Sequence, residues 1–276
     1  MKSLQGRIKS LRQWGLLLTF GLLAGAFLGS CSTPHYAVQS NHAPLLKEKG
    51  EVKVEGGATI HPRTMAYDIR GAYAPVENLQ VMLSTAAMER SVVTSEFNAT
   101  REQQAVGMKG VYTEGAVGYF GEFGYVNGAV NIGYGFANAV SRGPNSIMET
   151  SLTYGRAFIQ PTLGVREDNV EWINSLRLSR LTYYSVASDS IASRSTGGSY
   201  GSIYDDYGIP VEQGNYLMME PSSAILLGFN QLKFKLQLTL AVPLQDYSLS
   251  YDGLGIGVGL VYNFRPSTAE QGFRGD

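Results

Sequence analysis

The sequence predicts an all-β protein, a closed antiparallel up-and-down transmembrane β-barrel of about ten strands, within roughly eight to twelve. Three observations predict it. Between Glu51 and Phe264 the apolar residues recur with a period of two, which sorts them onto one face of a strand and would scatter them around a helix. Glycine and tyrosine are abundant, at 33 and 17 residues, while only 16% of residues are charged, a balance unlike that of a soluble helical protein. The breaks between apolar runs alternate between short and long, as in a barrel whose hairpins end in two different compartments.

The chain opens on another pattern. Lys2, Arg7, Lys9 and Arg12 are the charges of the first thirty residues, and Trp14 to Ser30 carry none. A basic start followed by an uncharged apolar run has the build of a cleaved signal peptide over residues 1–30. The run is slightly short for the ~20 residues of a permanent spanning helix. It ends in Leu28-Gly29-Ser30-Cys31, which resembles the lipobox of bacterial lipoproteins, where an aliphatic residue and two small ones precede the lipidated cysteine. The resemblance implies that Cys31 carries lipid, palmitate included, and begins the mature protein. Cys31 is the one cysteine of the sequence, so no intramolecular disulfide can form and stability must come from packing and hydrogen bonding. Ser32 is not the aspartate that holds enterobacterial lipoproteins at the inner membrane, so the same resemblance implies sorting to the outer membrane.

Without residues 1–30 the chain has 18 basic and 23 acidic residues, a net charge of −5. There is no basic surplus for nucleic acid. Residues 31–50 contain Pro34 and Pro44, show no sustained period, and are expected to be a periplasmic tether between the lipid and the domain. The barrel is expected over 51–264, with 265–276 a periplasmic tail.

Ten candidate strands follow at 51–60, 65–74, 79–88, 111–120, 125–136, 152–163, 170–184, 216–229, 232–242 and 254–264. The clearest alternates Leu232, Phe234, Leu236, Leu238, Leu240 and Val242 with Lys233, Lys235, Gln237, Thr239 and Ala241. The last sets Leu254, Ile256, Val258, Leu260, Tyr262 and Phe264 against Gly255, Gly257, Gly259, Val261 and Asn263. Short connections are expected at 75–78, 121–124, 166–169 and 230–231, and longer ones at 89–110, 141–151, 185–215 and 243–253, with 61–64 a short exception. The long loops are assigned to the outside, since the lipid on Cys31 and a short tether fix the chain's start in the periplasm.

Alternation does not say which face is outside, and a soluble lipocalin-like barrel would turn its aliphatic face inward. The last strand's glycines suit a crowded lumen. Tyr73, Trp172, Tyr262 and Phe264 fall near strand ends on the aliphatic face, where an interfacial girdle would lie. Lys53, Glu55, Asp68, Arg70, Glu114, Arg156, Arg177, Lys233 and Lys235 share the minority face, and their mixed signs permit a paired luminal network where isolated buried charge would be prohibitive.

Over 51–264 the chain thus resembles the small outer-membrane β-barrel proteins. Its lipidated start followed by Leu45-Leu46-Lys47-Glu48-Lys49-Gly50-Glu51 resembles barrel lipoproteins of Bacteroidota. Phe264 matches the terminal aromatic read by assembly machinery in many such proteins, and the tail after it departs from that pattern.

No catalytic site is expected. A lipid-modifying barrel enzyme would use a histidine with a serine, and among His35, His42 and His61 only His61 lies near an outer loop, without a nucleophile motif. His35 and His42 in the tether and Asp205-Asp206 lack the spacing of a metal site, and Gly253 to Gly259 lacks the lysine of a phosphate loop, so no cofactor is expected. In the 185–215 loop, Tyr200, Tyr204 and Tyr207 among serines and glycines have the make-up of a recognition surface. The expected function is a non-enzymatic outer-membrane barrel lipoprotein with a structural or surface-loop role toward an unknown envelope partner and the membrane lipid. The alternative is a soluble lipoprotein barrel carrying an apolar ligand, and the lipid-modifying enzyme ranks last.

Overall fold

The structure is a computed structural model that describes residues 36–62, 64–92, 105–142, 148–167, 169–190, 214–229, 231–245 and 251–265. Residues 1–30, expected to be a signal peptide, Cys31 and the last eleven residues lie outside them. The strands are β1 (Tyr36–Ala37), β2 (Val52–Ile60), β3 (Thr64–Val76), β4 (Leu79–Val92), β5 (Ala105–Phe123), β6 (Val126–Arg142), β7 (Met148–Arg166), β8 (Val170–Ser190), β9 (Asn215–Phe229), β10 (Leu232–Leu240), β11 (Val242–Pro243), β12 (Tyr251–Asp252) and β13 (Leu254–Phe264).

The ten long strands, β2 to β10 and β13, pair antiparallel with their neighbours in sequence. β13 closes the ring by lying between β10 and β2. This is the expected up-and-down topology, and it leaves no unpaired edge. The connections β3–β4, β5–β6, β7–β8 and β9–β10, with the end of β13 and the start of β2, lie at a short-turn end; the opposite end carries the longer connections.

The alternation read from the sequence resolves into faces. Leu232, Phe234 and Leu236 are 52%, 50% and 50% exposed, while Lys233 and Lys235 between them are buried. In register beside them, Leu236 meets Val258 and Ile225, and Lys235 meets Gly259. The aliphatic face is therefore outward. Tyr73, Phe123, Tyr125, Phe229 and Phe264 ring the short-turn end and are exposed, and Tyr67, Tyr134, Phe136 and Tyr184 form a second exposed aromatic level nearer the long loops.

Several strands run past their expected ends. β4 reaches Val92, β5 begins at Ala105, and β8 continues to Ser190, which shortens the loops expected at 89–110 and 185–215. The ladder carries on where the apolar–polar contrast stops, because residues such as Ser185 to Ser190 no longer divide into a greasy and a polar face. Backbone pairing needs no such contrast.

The larger correction concerns the expected tether. Residues 36–46 do not run free: Tyr36, Ala37, Val38, Asn41, His42, Leu45 and Leu46 are at most 1% exposed. They cross the lumen from the long-loop end, where β1 pairs in parallel with β12, to the short-turn end, where the chain reverses at Gly50 (φ 82°) and enters β2. Gly50 N–H donates to the Ala74 carbonyl at 2.7 Å and seals that reversal. A segment enclosed on all sides touches every wall and so has no preferred face. Its lack of period, read as a tether, is what a plug in a tube requires.

Candidate functional site

The lumen is the candidate site, and its lining follows from strand parity. Every second residue points inward, which places all nine of Lys53, Glu55, Asp68, Arg70, Glu114, Arg156, Arg177, Lys233 and Lys235 in the interior, each no more than 6% exposed. They fall into three groups along the barrel.

Nearest the long loops, Arg156 and Arg177 converge on Glu114. Arg156 lies 2.8 Å from one Glu114 oxygen, and the Arg177 guanidinium donates to both oxygens at 3.0 Å. Arg156 also reaches Glu220 at 3.3 Å and donates to the Tyr112 hydroxyl at 2.9 Å. The Arg177 guanidinium stacks over Phe158 at 4.1 Å, so the delocalised cation has both hydrogen-bonded edges and an aromatic face. At mid-barrel, Glu55 accepts from Lys235 at 2.6 Å and from Arg70 at 2.9 Å, and Arg70 pairs with Asp68 at 2.7 Å. Toward the short turns, Glu171 receives Lys53 at 2.9 Å and both Lys233 and Arg166 at 3.0 Å, and Arg166 pairs with Glu51 at 2.6 Å.

Glu51, Arg166, Glu171 and Glu220 belong to the network but were not among the nine residues singled out from the sequence. A signal existed for them. The nine hold twice as many cations as carboxylates, which a closed lumen cannot bury unpaired, so further carboxylates had to face inward. Glu171 shares its parity with Arg177 on β8, and Glu220 faces it across the β8–β9 register.

The plug is bound by this lining from end to end. Tyr36 donates its hydroxyl to Glu220 and accepts from Arg156 at 2.6 Å. Ser40 donates to Gln237 at 2.6 Å and accepts from Arg70 at 3.3 Å. The carbonyls of Asn41, His42 and Leu45 accept from Gln237, Gln160 and Arg166 at 3.1, 2.8 and 2.8 Å. Apolar layers close both ends of this polar column. Tyr36 packs with Tyr154, Tyr183, Met108 and Leu181 toward the long loops, while Leu46 sits among Ala74, Met82 and Phe120 and Leu45 among Ile173, Leu226 and Val261 toward the short turns. Two inward glycines make the room: a Cβ on Gly164 would stand 2.6 Å from Leu45 Cδ1, and one on Gly257 would stand 3.0 Å from Ser40 Oγ. Of the last strand's glycines Gly257 thus accommodates the plug, while a Cβ on Gly255 would meet His61 and Thr59 and one on Gly259 the Gly56 backbone, where the sequence suggested side chains of opposite strands.

Among the described residues the cavity lined by Asn41, Lys53, Glu55 and Lys235 measures about 10 Å³, room for a single water. That is no chamber for an apolar ligand. His42, expected in a solvated tether, is buried in the plug, and His61, expected to be solvated, is 3% exposed with Nδ1 3.0 Å from the Leu254 carbonyl oxygen. Burial holds the His61 pKa down to about 4, so its ring is neutral near neutral pH. No group of three or more His, Cys, Asp or Glu able to hold a metal occurs among the described residues. Cys31, Tyr200, Tyr204, Tyr207, His35 and Asp205-Asp206 lie outside the described residues.

Neither a family model nor a curated protein matches the chain. Among solved structures it is similar to the N-terminal β-barrel domain of Pseudomonas aeruginosa OprF, at 10% identity and a TM-score of 0.34 over 78% of this chain and 98% of that one. It is also similar to Ail, the attachment invasion locus protein of Yersinia pestis, at 9% identity and a TM-score of 0.23 over 78% of this chain and 99% of that one.

Proposed function

We propose that the chain is a non-enzymatic outer-membrane β-barrel lipoprotein, lipidated at Cys31, whose plugged barrel serves as a rigid membrane support for its long loops. The observation that carries this reading is the exterior. On β6 the outward residues Val126, Val130, Ile132, Tyr134 and Phe136 are all exposed and apolar, and Asn138 ends the series. Ten residues at ~3.3 Å each on a strand tilted ~40° span about 25 Å, the height of the apolar band of outer-membrane barrels. In water this belt would be a very large apolar patch on a monomer, whereas lipid accepts it at no cost.

A filled lumen supports a role in the loops rather than in transport. Tyr200, Tyr204 and Tyr207 are proposed to present rigid amphipathic contacts to an envelope or surface partner.

Extraction tests the membrane reading. Cys31→Ala protein, exported with a non-lipoprotein signal, has no lipid to hold it and is expected to stay in the membrane pellet after carbonate treatment. Its release by carbonate alone would overturn the reading. Leu236→Arg should impair assembly by ~2 to 4 kcal/mol at mid-depth. The parent protein should incorporate labelled fatty acid and the Cys31→Ala variant should not; labelling that persists would refute the lipid site.

A further inference from the structure

The direction of the plug places the start of the mature chain. β1 runs parallel to β12, and β12 leads straight into β13, which travels from the long-loop end to the short-turn end. Residues 36–46 therefore descend the lumen, with Tyr36 at the top. Tyr36 is level with Arg156 and Tyr154, beside the upper aromatic ring of Tyr134 and Tyr184.

Cys31 precedes Tyr36 by five residues, a reach of at most ~18 Å. From the level of Tyr36 to the short-turn rim is a much longer way. Tyr251 to Phe264 is thirteen residues on, ~43 Å along the strand and ~33 Å along the axis at a tilt of ~40°. The lumen offers no return route, since the plug fills it and the cavity beside it holds one water.

We infer that Cys31 and its acyl chains lie on the long-loop side of the barrel, so that the lipid enters the outer leaflet and the N-terminus of the mature protein is displayed at the cell surface. This rests on the proposed lipidation of Cys31 and on an outward direction of the long loops that is taken from the short periplasmic turns and longer outer loops of transmembrane barrels, and no longer from a periplasmic start of the chain. It reverses the side expected of a short periplasmic tether. The lipid then anchors the upper end of the plug to the membrane beside it, and the barrel wall grips the lower end through Arg166, Leu45 and the Gly50 reversal.

A membrane-impermeant maleimide on intact cells tests the placement. Acylation blocks the native thiol, so the parent protein should not react; a reactive parent would refute lipidation and leave the topology arm to be read in the Cys31→Ala background. His35→Cys is expected to label on intact cells to the same extent as Ser202→Cys in the 185–215 loop. Lys49→Cys, at the short-turn reversal, is expected to label only after lysis. If His35→Cys labels only after lysis, or only after the barrel is unfolded, surface display of the N-terminus is overturned.

Discussion

Arg156 on β7 donates a 2.6 Å hydrogen bond to the hydroxyl of Tyr36, 120 residues earlier in the chain, and so ties the barrel wall to the segment inside it. The same guanidinium holds Glu114 and Glu220, and it is fully buried. Its role is therefore one of charge balance as much as of attachment.

Arg156→Met should be strongly destabilising, because it leaves Glu114 with Arg177 alone and Glu220 without its cation. Losing one partner of a buried pair costs about 3 to 5 kcal/mol. Tyr36→Phe, which removes one hydroxyl and leaves both charges paired, should cost about 1 to 2 kcal/mol. Urea unfolding of both variants in lipid vesicles checks the order; a Tyr36→Phe loss equal to that of Arg156→Met would mean that the phenol, not the charge balance, is what matters.

How much of this arrangement could be read from the sequence depended on whether a segment has two different environments. Leu232 to Val242 has an outward and a lumen-facing side, so its two residue sets differ and the strand was legible. Residues 36–46 are enclosed by the barrel wall all round and so show no such contrast. Parity gave Lys235 and Arg177 an inward direction but could not tell which carboxylate each would meet. Glu171 meets Arg166 through the β7–β8 register and Lys53 and Lys233 only through the curvature of a closed ring, and Glu220 on β9 meets Arg156 on β7 past the intervening β8.

Ser40 and Gly257 permit a direct test of the plug's position. A Cβ at Gly257 would stand 3.6 Å from Ser40 Cβ, within the Cβ–Cβ range of a disulfide. The double variant Ser40→Cys/Gly257→Cys should oxidise spontaneously in the envelope. After cleavage in the 185–215 loop, the two fragments should migrate together until reduced. Fragments that separate without reductant would show that the N-terminal segment does not lie against β13.

His61 makes stability depend on pH. Its folded pKa is held down to about 4 by burial, against ~6.5 in the unfolded chain, so on acidification the unfolded state takes up the proton first. The stabilisation is complete above about pH 6.5 and is lost as the pH falls toward 4, on the order of 2 kcal/mol of it by pH 5. Urea midpoints at pH 7 and pH 5 should therefore lie further apart in the parent than in His61→Gln. Equal shifts in the two proteins would assign the pH dependence to other groups.

The barrel should not conduct ions. Eight strands enclose a lumen that side chains just fill, and wide aqueous channels come with roughly sixteen, so a ten-stranded wall alone would leave little space. That space is taken by residues 36–46, whose Tyr36 and Leu46 layers close the two ends and whose carbonyls occupy Gln237, Gln160 and Arg166. An ion crossing the barrel would have to break several charge-assisted hydrogen bonds at once, with about 10 Å³ of void to receive it. Purified protein in planar bilayers should show no steady conductance. The Ser40→Cys/Gly257→Cys protein should be equally silent when oxidised, since the bond holds the plug where it already lies. A variant lacking residues 36–46, if it assembles, should open a small and unsteady path lined by Arg70, Arg156 and Lys235. Steady porin-like channels in the parent protein, abolished by oxidation of the double-cysteine variant, would instead mean that the plug leaves the lumen in the membrane.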